Sequence, residues 1–168
     1  VNMANLEPLI QSIPVAPLKL ASLEGCRTLA DQVNNYLVSF RHESPTNVGQ
    51  ADSLQGYCAD SYLLECECPR FGSGEGKGVL KESVRGCDLF IMVDVTNYSL
   101  TYRVNGYENH MSPDNHYQDL KRIISAADGK ARRINVIMPF LYESRQHKRS
   151  GRESLDCALG LQELTAMG

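Results

Sequence analysis

The sequence predicts an α/β domain in which a mostly parallel sheet is flanked by helices. Residues 88–95 read Asp-Leu-Phe-Ile-Met-Val-Asp-Val, a near-continuous apolar run that suits a parallel strand covered on both faces. Residues 134–140 are expected as a second buried strand of the same kind. Around them lie segments whose apolar residues recur every three or four positions, so strands alternate with helices, as right-handed crossovers require. The 168 residues fit about one domain, given a prior of roughly 150 residues for each.

In chain order, Val1 and Asn2 precede Met3 and read as a cloning remnant within an N-terminal extension, residues 1–17. The domain follows as residues 18–168. No basic region followed by an apolar one occurs in residues 3–19, so no signal peptide is expected. From Ser22 the pattern is helical, with Leu29, Val33, Tyr36, Leu37 and Phe40 on one face and Ser22 or Glu24 serving the first amides. Residues 41–56 carry Ser, Pro, Thr, Asn, Gly, Gln and Asp and read as a long flexible surface loop. A strand is expected at about 62–68, then a glycine-rich turn, then a short extended piece at 79–81. Residues 98–111 look polar and irregular. Pro113-Asp114-Asn115 opens a helix whose inward face carries Tyr117, Leu120, Ile123, Ile124 and Ala127, closed near Gly129. The last helix is expected from about Glu153, with Leu155, Ala158, Leu159, Leu161 and Leu164 apolar and Gly168 as its stop.

Composition narrows the function classes. Seventeen Lys and Arg against 20 Asp and Glu give a formal net charge of -3, which excludes a globally basic nucleic-acid binder. No run approaches the ~18 apolar residues of a membrane span. Cys26, Cys58, Cys66, Cys68, Cys87 and Cys157 are expected as reduced thiols in the cytoplasm, since a core of this size needs no staples. Cys66 and Cys68 form a C-x-C in an alternating apolar stretch with no second pair elsewhere, so buried strand cysteines are expected rather than a zinc site.

Two loops at strand ends carry unusual chemistry, and in α/β sheets ligands sit beyond the carboxyl ends of strands. The first, residues 69–78, reads Pro-Arg-Phe-Gly-Ser-Gly-Glu-Gly-Lys-Gly. Its glycines permit positive φ and close backbone approach. It is not a phosphate-cradling P-loop, because Phe71 stands where the first Gly belongs and Gly78 where Ser or Thr belongs. A flexible hairpin connection is the plain alternative. The second, residues 142–152, concentrates Arg145, His147, Lys148, Arg149 and Arg152 on an otherwise acidic chain. Such a loop after a buried strand suits an anion, with help from the following helix N-terminus. Arg forks match phosphate oxygens, and Gln146 can read a base edge or a ribose hydroxyl. A merely solvated basic loop is the alternative there. Between the two loops, Glu82-Ser83-Val84-Arg85-Gly86 puts a hydroxyl and a guanidinium beside the apolar strand.

Taken in order, these residues resemble the N-terminal half of ribose-phosphate pyrophosphokinase, over about residues 18–168. The likeness is strongest from Arg70-Phe71 through Glu82-Ser83-Val84-Arg85-Gly86 to Asp88-Leu89-Phe90-Ile91. It resumes at Asp114-Asn115, at Leu120-Lys121-Arg122, at Ile137-Met138-Pro139-Phe140 and over 142–152. The resemblance implies a phosphoribosyltransferase-like domain of a homo-oligomeric, magnesium-dependent enzyme. That family transfers the β,γ-diphosphoryl group of ATP to the 1-hydroxyl of ribose 5-phosphate. By position, it implies that Phe71 stacks on adenine and that Ser73 and Glu75 contact the base from a neighbouring subunit. Arg145 and Gln146 would bind the nucleotide, with Lys148 near its phosphates. Ser83, Arg85, Arg149, Ser150 and Arg152 match positions that bind regulatory phosphate or ADP in many members.

Departures accompany the likeness. Ser73 replaces the usual aspartate, and His147 replaces an acid. The 41–56 and 98–111 segments are longer than in compact members, which suggests a divergent long variant. The family's metal-binding histidine, its ribose-phosphate loop and its mobile catalytic loop belong to a second half, so no catalytic residue is expected within these 168 residues and the chain alone is expected to be inactive. The competing reading is a non-catalytic regulatory or assembly subunit of such a synthetase. A nucleic-acid binder using residues 145–152 is disfavoured because no aromatic residues interleave with the charges, and no membrane partner is expected.

Overall fold

The protein is described by a computed structural model covering residues 15–43 and 56–168. In chain order its elements are β1 (Leu18–Ser22), α1 (Arg27–Glu43), β2 (Leu63–Leu64), β3 (Cys66–Glu67), β4 (Val79–Leu80), β5 (Asp88–Met92), β6 (Thr101–Val104), β7 (Tyr107–His110), α2 (Pro113–Ala127), β8 (Arg133–Ile137) and α3 (Asp156–Ala166). Short 3-10 turns occupy Glu24–Cys26 and Ser144–Gln146. One parallel sheet runs β2-β1-β5-β8, and the antiparallel pairs β3-β4 and β6-β7 stand apart from it.

The alternation of side chains along β5 builds two cores. Leu89, Ile91 and Val93 cluster with Leu120, Ile123, Ile124 and Ala127 of α2. Phe90 and Met92, on the other face, join Leu20 of β1 and Cys26, Ala30 and Val33 at the start of α1. The helices therefore cover opposite faces, as the apolar run of β5 requires. Asp88, buried at the head of β5, fixes the edge strand: Arg133 Nε donates to Oδ1 at 2.9 Å, and Asn135 Nδ2 donates to the same oxygen at 2.8 Å. α2 forms as expected. Its Ser112 cap hydroxyl accepts from the Asn115 N–H at 3.2 Å, and the helix ends at Asp128 in the left-handed region, with φ 51°.

Several expectations are corrected. β1 was hidden because Leu18–Ser22 is short and runs directly into the helical pattern. α1 turns Ala30 and Asn34 inward, while Leu29 and Tyr36 are 40% and 64% exposed. Asn34 wins the inward place because its Oδ1 accepts the Tyr62 N–H at 2.8 Å. Neither Ser22 nor Glu24 caps that helix; Ser22 Oγ donates to the Leu23 carbonyl instead. Of the proposed 41–56 loop, residues 41–43 close α1 and Gly56 lies in a turn, while 44–55 fall outside the described residues. The 62–68 strand divides, with β2 pairing β1 and β3 turning away to pair β4.

Residues 98–111 are not irregular but form the β6-β7 hairpin. Its Asn105-Gly106 turn has φ 49° and 87°, the two positive values that a two-residue hairpin loop needs. α3 starts at Asp156 rather than Glu153, because Ser154 and Glu153 are spent in the preceding loop. It buries Cys157 and Gly160, and leaves Leu159 and Leu161 exposed. All six cysteines are unpaired. Burial pushes the Cys66 thiol up to about 11 and Cys68 up to about 12, which keeps both protonated and inert at neutral pH.

Two of the loop glycines sit where a Cβ would meet a neighbour. A Cβ on Gly78 would sit 2.4 Å from the Arg122 carbonyl oxygen on α2, and one on Gly76 would sit 2.4 Å from an Arg70 guanidinium nitrogen. Gly78→Ala must push β4 off a helix backbone that cannot yield. We expect a loss of about 1–3 kcal/mol, as for other overpacked sites. A urea melt that leaves the midpoint of Gly78→Ala at the wild-type value would contradict this packing.

Candidate functional site

Two loops at the sheet's margins present unused binding groups. The first is the tip of the β3-β4 hairpin, which is well structured rather than a loose connection. The Phe71 N–H donates to the Glu75 carbonyl at 2.7 Å and the Gly74 N–H donates to the Phe71 carbonyl at 2.9 Å, while Arg70 and Gly76 pair across the hairpin. Gly74 takes φ +91°, where a side chain would be strained. This closed turn presents the Phe71 ring outward, 53% exposed. Ser73 Oγ donates to Glu75 Oε2 at 2.8 Å, so these two side chains form one polar edge beside the ring. An exposed ring next to a hydroxyl–carboxylate pair can stack on a base and read its polar edge.

Beneath the tip, Arg70 points inward. Its two terminal nitrogens grip both oxygens of Asp119 on α2, at 2.7 and 2.8 Å. Arg122 Nη1 adds a bond to Asp119 Oδ1 at 2.6 Å. Burial opposes the Arg70 charge, but Asp119 outweighs it and holds the guanidinium above its ordinary pKa. Arg70 and Asp119 line part of a cavity of about 270 Å³ with Arg27, Cys66, Tyr102 and His116.

The second loop follows β8. Tyr142 anchors it by stacking on Tyr117 of α2 with ring centroids 4.1 Å apart, while its hydroxyl donates to Asp114 at 2.7 Å. Tyr117 in turn donates to the Gly160 carbonyl of α3 at 2.6 Å, and burial, then Glu163, pushes its hydroxyl up to about 12. Glu143 reverses the chain at φ 55°, and the Ser144–Gln146 turn follows. Gln146 Nε2 donates to the Ser154 carbonyl at 2.8 Å, which leaves its amide oxygen free of that bond. Glu153 is held by the Ser150 N–H and hydroxyl, which lower its carboxyl pKa. Arg145, Lys148, Arg149 and Arg152 are exposed, and none forms an ion pair among the described residues. The helix N-terminus does not reinforce them as expected: α3 begins four residues after Arg152 and carries Asp156 in its first turn.

The proposed regulatory residues are not brought together within one chain. Ser83 and Arg85 immediately precede β5, and the parallel register of Asp88 with Arg133 places them at the amino end of the sheet. The Gly86 N–H donates to the Lys130 carbonyl there, at 2.9 Å. Arg149, Ser150 and Arg152 follow the carboxyl end of β8. No hydrogen bond or ion pair among the described residues joins the two groups, nor does one join Phe71 to Arg145. The same residues show no cluster of three or more His, Cys, Asp or Glu able to hold a metal ion. A magnesium ion carried on nucleotide phosphates needs few protein ligands. No described helix is long and apolar enough to cross a membrane.

Sequence reasoning missed Asp119 and the inward role of Arg70. Asp119 sits between apolar positions of α2, and nothing local marks it as buried. The spacing of Asp119 and Arg122 (three residues apart on the helix) was the one available signal.

Comparison with known proteins bears on both loops. A search of curated sequences finds no match. Among solved structures, the chain is similar to phosphoribosylpyrophosphate synthetase from Mycobacterium smegmatis, with 25% sequence identity and a TM-score of 0.62. The match covers 90% of this chain and 40% of that one, so the chain spans less than half of its structural relative. Residues 18–168 match the family described as the N-terminal domain of ribose phosphate pyrophosphokinase. With both antiparallel hairpins set beside a parallel sheet and nearly the whole described fold inside that match, the chain belongs to the family of ribose phosphate pyrophosphokinase N-terminal domains.

Proposed function

We propose that this chain supplies the nucleotide-binding surface of a ribose-phosphate diphosphokinase, which moves the β,γ-diphosphoryl group of ATP to the 1-hydroxyl of ribose 5-phosphate. The observation that carries the reading is the family match over residues 18–168, within which both chemically unusual loops fall. In this reading Phe71 stacks on adenine, and the Ser73–Glu75 pair meets the base edge. Arg145, Gln146 and Lys148 hold the ribose and phosphates. Ser83, Arg85, Arg149, Ser150 and Arg152 take an inorganic phosphate or nucleoside diphosphate effector.

The protein works in the cytoplasm as a homo-oligomer. Residues that lie apart within one chain meet across copies, with Phe71, Ser73 and Glu75 of one protomer reaching the nucleotide of the next. Bound together with ATP, magnesium would offset part of the phosphate charge beside Arg145 and Lys148. The contribution of this chain is positioning and charge, which is most of what phosphoryl transfer asks of a protein.

Arg145→Ala removes a cation that no carboxylate compensates. Charged hydrogen bonds of this kind contribute about 1.5–3 kcal/mol, so ATP affinity should fall roughly ten- to hundredfold. Calorimetric titration of ATP into the two proteins checks this, and equal affinities would remove the loop from the site. The 168 residues alone should release no AMP above background from ATP and ribose 5-phosphate. Sustained turnover by the chain would show that it carries a complete active site.

A further inference from the structure

A base-stacking ring is useful only if its orientation is fixed, and Phe71 sits at the tip of a glycine-rich turn. Glycine-rich turns lose more conformational entropy on ordering than others, so something must hold this one. The neighbouring residue does so. The Arg70 and Asp119 side chains are only 8% and 7% exposed and meet through two parallel bonds of 2.7 and 2.8 Å. A third bond from Arg70, at 3.3 Å, returns to the Cys68 carbonyl on its own strand. Its guanidinium also lies over the Tyr102 ring of β6, 5.4 Å from the centroid.

The guanidinium reaches α2 by crossing the opposite arm of the hairpin at Gly76, where any Cβ would collide with it. On the other flank the Asn105 N–H donates to the Gly72 carbonyl at 3.3 Å, and Val104 lies against Gly74. The tip is therefore clamped between α2 and the β6-β7 turn. The carboxylate that Arg70 grips on α2, Asp119, touches no part of the presented surface. A paired buried fork of this kind resists displacement, because moving Arg70 would leave a buried carboxylate short of partners.

We propose that Asp119 is a positioning residue for the nucleotide base: acting through Arg70, it fixes the hairpin tip that presents Phe71 to a purine ring. The inference rests on the reading of Phe71 as the base platform. Asp119 acts on orientation only, and its removal changes affinity without changing which groups meet the ligand.

The chain contains no tryptophan, so Phe71→Trp installs a single fluorophore at the tip. ATP should quench this reporter by stacking. Adding Asp119→Asn or Arg70→Met to the reporter should enlarge the fast local component of its anisotropy decay and weaken ATP binding at least fivefold, with the far-ultraviolet dichroism unchanged. Arg70→Met leaves Asp119 still paired with Arg122, so it carries the test should Asp119→Asn fail to fold. Arg70→Lys, which keeps the charge but not the fork, should recover part of the lost affinity.

Quenching that persists with unchanged affinity in both variants would overturn the positioning role while leaving the platform standing. Failure of ATP to quench the Phe71→Trp protein itself would remove the platform, and the inference with it.

Discussion

The two-sided burial of β5 is the constraint on which the remaining structure depends. Its five residues pair with β1 on one side and β8 on the other, in unbroken parallel register from Asp88 to Met92. Apolar side chains on both faces leave no solvated side, so α1 must cover one face and α2 the other. The buried Asp88 then pins β8 through Arg133 and Asn135. Once α2 is seated on β5, its polar residues have fixed places. Asp119 faces the β3-β4 hairpin, and Asp114 and Tyr117 meet Tyr142 at the root of the cationic loop. Both candidate binding loops are thus referred to one helix.

That common reference explains how short loops can present chemistry with defined geometry. The hairpin tip is held to α2 by a buried guanidinium–carboxylate fork, and the post-β8 loop by a stacked tyrosine pair with both hydroxyls bonded. The outward groups differ in kind. Phe71, Ser73 and Glu75 suit a base, whereas Arg145, Lys148, Arg149 and Arg152 suit phosphates. In the proposed reading, these two chemistries, apart within one chain, would meet between copies, and so would the effector residues Ser83, Arg85, Arg149, Ser150 and Arg152.

Legibility in the sequence followed how far each residue's role is set by its neighbours in the chain. β5 and α2 could be read because an apolar run and a three-four spacing with Pro113 and Gly129 at the ends are local signals. The β6-β7 hairpin could have been read from Asn105-Gly106 between Val104 and Tyr107, but the polar residues around it masked the turn. β1 is too short to show a period. The α1 face was misread because hydrophobicity pointed to Leu29 and Tyr36, while the fold needed a small residue and a hydrogen-bonding one, Ala30 and Asn34, against the sheet. In the candidate site, the exposed residues were visible as glycines, arginines and an isolated phenylalanine. Their supports, Asp119 and Tyr142, act across dozens of residues of separation, and only the tertiary structure brings them into contact.

The central claim is that the β3-β4 tip and the post-β8 loop form the nucleotide surface. Backbone amide shifts of the labelled chain, followed by NMR as ATP is added, test it most directly. The account predicts that the largest changes fall at Phe71 to Glu75 and at Arg145 to Lys148. Changes confined to the cavity beside Arg27 and His116, with both loops unmoved at saturation, would contradict it.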